Sequence, residues 1–281
     1  MKLNEINIRD PFILPHEGIY YMYGSRGWNY TGFDVYKSED LNDWSEAIPV
    51  FEKPEDFWAT KEYWAPEVHE YKGKFYMFAS FHSDDKCRGT QILVSDTPDG
   101  IFKVHSKKPI TPENWEALDG TLYVSGDGTP YMVFCHEWLQ VKDGTMCAVK
   151  LKDDLSEPAG EPFVLFSASE YPHATKGAET FVTDGPFLYR TKNGKLLMLW
   201  STSANDAYVE AICYSDNGEI DGNWIQCDEP LFDNDGGHGM LFHDKNGKLC
   251  FVMHSPNKPK HAERPVLKEI TETEDGFLKL K

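Results

Sequence analysis

Five copies of one pattern constrain this chain more than any other feature of its sequence. Each copy opens on a small or acidic residue beside a Pro or Gly. It then runs into an apolar stretch, a Gly-containing turn and a second apolar stretch rich in Tyr, Phe and Met. The copies are DPFILPHEGIYYMYGS from Asp10, APEVHEYKGKFYMFASF from Ala65, DGTLYVSGDGTPYMVF from Asp119, DGPFLYRTKNGKLLMLWST from Asp184 and GHGMLFHDKNGKLCFVMHS from Gly237. Recurrence at intervals of roughly 55 residues is the mark of propeller blades, each of which buries its faces only by stacking on its neighbours.

A second pair of alternating runs follows each copy, such as FDVYKSEDLNDW with AIPVF after the first and PVLKEITETEDGFLKL after the fifth. Period-two alternation divided by polar turns predicts strands, so each unit reads as four antiparallel strands. Asn193-Gly194 and Asn246-Gly247 supply hairpin turns, with type I′ geometry expected from their positive-φ preference. No helical periodicity of useful length and no low-complexity linker interrupts the series. The expectation is all-β: a five-bladed β-propeller occupying residues 1–281 as one domain.

Composition narrows the partners. A formal charge of −18 excludes a phosphate-binding surface of the kind nucleic acid requires, and it suits a neutral or cationic ligand. No apolar stretch is long enough to span a membrane. Six cysteines lack C-x-x-C or zinc-ligand spacing and read as buried free thiols in a reducing compartment. The opening MKLNEINIRDPF has no apolar h-region, so the expected location is cytoplasmic.

The first strand of a blade lines the central channel, so residues at its mouth converge from all the blades. Asp10, Asp119 and Asp184 stand there in units one, three and four. Asp before Pro or Gly is also ordinary turn chemistry, but three such residues at one repeat position point to a shared pocket. Convergent carboxylates suit glycoside hydrolysis, in which an acid protonates the departing oxygen while a base activates water on the opposite face. A third carboxylate keeps the acid protonated by like-charge repulsion.

The motifs RDPFIL, WAPEV, ALDGTLY, TDGPFLYR and GGHGM, in that order, resemble glycoside hydrolase family 43 along essentially the whole chain. That resemblance implies an inverting, two-carboxylate mechanism on an oligosaccharide, with α-L-arabinofuranosidases, β-xylosidases and endo-arabinanases among the members. It places Asp10 as general base, Asp119 as the residue that tunes the acid, and Asp184 as the acid. Asp184 departs from the family's usual Glu and is one methylene shorter. Glu179, five residues upstream, is the alternative acid, although an odd separation on an extended strand puts the two on opposite faces. Terminal α-L-arabinofuranosyl groups are the expected substrate, with β-xylosides second and a binding propeller without catalysis as the reading of another class.

Aromatic and basic residues complete the expectation. Trp28, Trp64 and Trp138 sit in loops or strand mouths that border the funnel, where aromatic faces stack on sugar C–H surfaces. His238 of GGHGM resembles a family histidine near a water or a calcium ion, so it is the candidate ligand of a Ca²⁺ in the channel. Arg264 is expected to reach the site from unit five, with a surface salt bridge as its structural alternative. Trp44 and Trp224, after outer-strand turns, and Glu67 in WAPEV read as structural.

Overall fold

The computed structural model describes residues 1–175 and 179–281. Among the described residues, twenty strands form five four-stranded antiparallel sheets, each in strict chain order. The first sheet is β1 (Arg9–His16), β2 (Ile19–Ser25), β3 (Gly32–Ser38) and β4 (Ile48–Glu52). The second is β5 (Lys61–Tyr71), β6 (Lys74–His82), β7 (Gly89–Ser95) and β8 (Lys103–Val104), and the third is β9 (Ala117–Val124), β10 (Pro130–His136), β11 (Thr145–Lys150) and β12 (Phe163–Ser167). The fourth is β13 (Asp184–Arg190), β14 (Leu196–Ala204), β15 (Ala207–Ser215) and β16 (Trp224–Gln226). The fifth is β17 (Gly237–His243), β18 (Leu249–Ser255), β19 (Arg264–Glu272) and β20 (Leu278–Leu280).

The opening strands touch in a ring: β1 meets β5 and β17, β9 meets β5 and β13, and β13 meets β17. This is the five-bladed propeller that the repeats predict, with sheet faces packed on one another by interblade side chains. Phe33, Phe51, Phe57, Tyr63 and Phe81 form one such wedge between the first two blades, with ring centroids 4.9–6.3 Å apart. Tyr63 and Phe81 meet edge-on at 4.9 Å, a favoured aromatic geometry. Phe33 is fully buried in this wedge. Trp44 and Trp224 are buried and donate their indole N–H groups to the Leu41 and Ile220 carbonyls.

The Asn-Gly hairpins form, with a different turn. Gly194 and Gly247 have φ of +89° and +77°, but their Asn partners are not left-handed. Gly194 N–H bonds the Thr191 carbonyl at 2.9 Å and Gly247 N–H bonds Asp244 at 2.8 Å, so each Gly closes a longer loop. Asn193 Oδ1 accepts from the Thr191 hydroxyl at 2.7 Å, a local side-chain bond of the kind Asn makes in turns. Paired positive φ occurs instead at Glu17-Gly18, Lys72-Gly73 and Asn205-Asp206.

Candidate active site

One backbone device repeats at the mouth of every inner strand. The pairing register slips between Arg9 and Phe12, Trp64 and Glu67, Asp184 and Phe187, and Gly237 and Met240, and β9 slips against β10 between Val133 and Cys135. At each slip one residue is left-handed: Asp10 (φ 52°), Ala65 (46°), Asp119 (57°), Gly185 (47°) and His238 (52°). Such β-bulges re-aim side chains, and non-glycine residues in this region are held there by their surroundings. The holding contacts are visible. Ala65 N–H bonds Ser25 Oγ at 2.7 Å, Asp119 N–H bonds Ser80 Oγ at 2.8 Å, and His238 N–H bonds Ser201 Oγ at 2.7 Å. Asp10 N–H bonds His254 Nδ1 at 3.3 Å, and Gly185 N–H bonds Asp119 Oδ2 at 3.1 Å.

This register corrects one expectation. Asp184 does not share the repeat position of Asp10 and Asp119; it lies one residue earlier, in the place of Arg9, Trp64 and Gly237, while Gly185 takes the left-handed place. A Cβ on Gly185 would come within 2.6 Å of the His238 ring, so the Gly of TDGP gives the imidazole its room.

Asp10, Asp119, Asp184 and His238 line one cavity of about 530 Å³ at the propeller axis. His238 Nδ1 lies 3.1 Å from Asp10 Oδ1 and 3.8 Å from Asp119 Oδ2, and Ser25 Oγ donates to Asp10 Oδ2 at 2.6 Å. Burial opposes the charge on Asp10, but the His238 cation, its hydrogen bond and Arg9 outweigh burial and hold this carboxyl well below the usual range. The same pairing overrides burial at His238 and pushes it up to about 10, so the ring carries a proton. Asp119 and Asp184 go the other way. Burial raises both, and repulsion among the three carboxylates adds to it. The cavity therefore sets an ionised carboxylate against a pair that retains a proton far above the usual carboxylate range. Tyr208 donates to Asp184 Oδ2 at 3.0 Å, and burial holds the His254 ring neutral, down to about 3.

The cavity wall is aromatic and ionic. Trp28, 43% exposed, meets Trp64 edge-on at 4.9 Å, and the Arg88 guanidinium lies over Trp64 at 4.6 Å. Arg88 is buried between Glu62 and Glu137, and burial pushes Glu137 up to about 7. Trp138 opens a single helical turn (Trp138–Val141) on the third blade and lines the same cavity, as do Lys258, Lys260 and His261.

Arg264 is not brought to the site. Its guanidinium bonds the carbonyls of Asn4, His261 and Glu263 and so anchors the loop ending at Glu263. The guanidinium beside the carboxylates belongs to Arg9, 3.8 Å from Asp10 and 3.2 Å from Glu263. Glu179 is exposed, left-handed at φ 77° and outside the cavity lining. Its separation from Asp184 does not come from strand parity, because the residues between them form a turn and isolated bridges. Glu67 is buried against His69 Nε2 at 3.1 Å.

A calcium ion fits His238 poorly. Its Nδ1 is engaged by carboxylate and its ring is cationic, whereas a hard cation wants six to eight oxygens. Among the described residues no group of three or more His, Cys, Asp or Glu is arranged to hold a metal.

Arg9, Arg88, Glu62, Glu137 and Tyr208 escaped the sequence reading. Arg9 adjoins Asp10 and could have been found from RDP; the others lie outside the repeat's opening motif.

A propeller whose axis buries an ionised Asp against a proton-holding Asp pair, beneath aromatic walls, has the equipment of a glycoside hydrolase. The chain belongs to the glycosyl hydrolases family 43, whose family model matches residues 4–278. An endo-arabinase structure from Bacteroides thetaiotaomicron is 40% identical with a TM-score of 0.92, over 99% of both chains. The extracellular endo-α-(1→5)-L-arabinanase 1 of Bacillus subtilis is 25% identical over 60% of this chain and 53% of its own length. The extracellular exo-α-(1→5)-L-arabinofuranosidase of Streptomyces chartreusis is 30% identical over 60% of this chain and 52% of its own. The chain thus spans about half the length of the curated relatives it matches. That these relatives are extracellular overturns the expected cytoplasmic location. The missing h-region and the six free thiols, buried or half-buried as they are, do not decide where a folded chain works.

Proposed function

We propose that the chain is an inverting glycosidase, one catalytic propeller over residues 1–281, that removes terminal pentose residues from arabinan-type or xylan-type oligosaccharides. α-L-Arabinofuranosyl groups are its first substrate and β-xylosyl groups the second. The observation that carries this reading is the division of charge at the axis: Asp10 held ionised by His238 and Arg9, and Asp119 and Asp184 held by burial and repulsion as a pair that keeps a proton.

Asp10 takes a proton from water as the water oxygen bonds to the anomeric carbon. Asp184 gives its proton to the leaving oxygen as the glycosidic bond breaks, and Asp119 maintains the proton on the pair. The new hemiacetal has inverted configuration, and no metal takes part in a step. Glu179 is the alternative donor, and its exposure outside the cavity weighs against it. Trp28, Trp64 and Trp138 supply the sugar-stacking faces. Loops carrying Trp28, Leu139 and Lys258–His261 wall the cavity and support exo action.

Endo action is the second reading, favoured by the likeness to the 40%-identical endo-arabinase. Time-resolved analysis of products from linear arabinohexaose decides between them. Exo action releases arabinose from the first turnover. Early arabinobiose and arabinotriose without arabinose reverse the assignment, and hydrolysis of neither arabinosides nor xylosides removes the proposal. Early-time NMR of the anomeric proton tests inversion.

A further inference from the structure

The axial N–H bonds follow a rule that fails in one blade. The residue facing the mouth of the inner strand is Ser25 opposite Arg9, Ser80 opposite Trp64, Ser201 opposite Asp184 and His254 opposite Gly237. Each reaches across to the left-handed residue of the next blade, closing the ring. The third blade has Cys135 at this place, opposite Leu118. Its thiol is buried and turned to Met146 Sδ at 3.9 Å, and the N–H of Gly185 in the fourth blade goes to Asp119 Oδ2 instead.

The first blade shows what a hydroxyl does there. Ser25 Oγ accepts from Ala65 N–H at 2.7 Å and donates to Asp10 Oδ2 at 2.6 Å, so it stands between the Asp of its own blade and the backbone of the next. In the third blade nothing intervenes, and the Asp119 carboxylate rests directly on the backbone that carries Asp184.

We propose that Cys135 is a positioning residue: by putting a weakly bonding thiol where the other blades put a strong partner, it leaves Gly185 N–H to Asp119 and seats that carboxylate against Asp184. A thiol is a poor acceptor beside a hydroxyl, so the N–H turns to the carboxylate. The seat matters because repulsion between two buried carboxylates falls with distance. Cys135→Ser interposes a hydroxyl as Ser25 does, moves Asp119 back and weakens its hold on the proton of the pair. Cys135→Ala adds no hydroxyl and leaves the direct contact in place.

The inference rests on reading Asp119 and Asp184 as the tuned pair, and its test has two arms. Crystal structures of both full-length variants give the partner of Gly185 N–H whether or not the protein turns over. The expected result is Ser Oγ in Cys135→Ser and Asp119 Oδ2 in Cys135→Ala. pH–rate profiles on a pentoside with a poor leaving group then read the consequence. The alkaline limb of Cys135→Ser should move down by about one pH unit, costing up to about tenfold in rate above the limb, while that of Cys135→Ala stays. Identical profiles for Ser and Ala overturn the proposal. So does a serine hydroxyl turned to the neighbouring buried Thr183 Oγ1 with Asp119 still on Gly185. Lack of turnover by the unmodified protein on every pentoside would refute the glycosidase reading, while the two structures still decide the geometry.

Discussion

Tyr208→Phe isolates the proton donor more cleanly than removing the donor itself. The phenol of Tyr208 donates to Asp184 Oδ2 at 3.0 Å, and its ring stacks on His254 with centroids 5.6 Å apart. A Cβ on Gly237 would lie 2.8 Å from that ring, so the ring is tightly seated and Phe keeps the packing. Burial raises the Tyr208 pKa well above its ordinary value, so the hydroxyl remains a donor throughout the working range. A hydrogen bond to a charged acceptor contributes about 1.5–3 kcal/mol. The same hydroxyl also bonds the neutral acid, so the difference between the two forms is nearer ~1.4 kcal/mol, or about one pKa unit. The sign follows: the donor stabilises the ionised carboxylate, so deleting it raises the Asp184 pKa. The alkaline limb of kcat/KM on a poor-leaving-group pentoside should rise by about one unit. Below the limb the variant stays within about threefold of the wild type; above it the variant becomes faster, by up to about tenfold. A limb that stays or falls refutes the reasoning. Equal slowing of good and poor leaving groups at all pH values would place the hydroxyl on the sugar instead of the acid.

Asp184→Ala should slow hydrolysis of a natural disaccharide by about 10²–10⁴-fold and that of a dinitrophenyl glycoside much less; if Glu179→Ala shows that signature instead, Glu179 is the donor. Asp10→Asn should lower turnover by at least about 10²-fold with sugar affinity by calorimetry nearly intact, and activity within about tenfold of wild type removes Asp10 from the mechanism. The His238–Asp10 pair also predicts a pH window of stability. His238 is raised to about 10 from an unfolded value of about 6.5, so its contribution is complete below about 6.5 and declines towards 10. Asp10 is depressed, so its contribution is complete above about 4 and is lost in acid. Thermal melts of the wild type should therefore fall between about pH 6.5 and 10, and melts of His238→Gln should be flatter there; parallel curves would show that the pair is not linked to folding.

The alternation of apolar and polar residues, repeated five times with turn residues between, determined the propeller without help. Strand pairing inside a blade is local, so period and turn chemistry carry it, and the channel position of Asp10 and Asp119 follows from being first in a repeat. The same logic misplaced Asp184 by one residue, because a bulge changes which residue occupies the repeat position and leaves little mark in sequence. The turn between Glu179 and Asp184 was equally invisible to an argument that assumed an extended strand. Arg264 and Arg9 show the limit most plainly. Both are arginines beside a motif, yet one bonds carbonyls of a neighbouring loop and the other reaches the carboxylates. Contacts between blades join residues tens to hundreds of positions apart, as Asp10 and His254 do. Only tertiary structure could bring Arg88 to Glu62 and Glu137, Tyr208 to Asp184, and Gly185 N–H to Asp119, because each bond depends on how neighbouring blades meet around the axis and not on the pattern within any one of them.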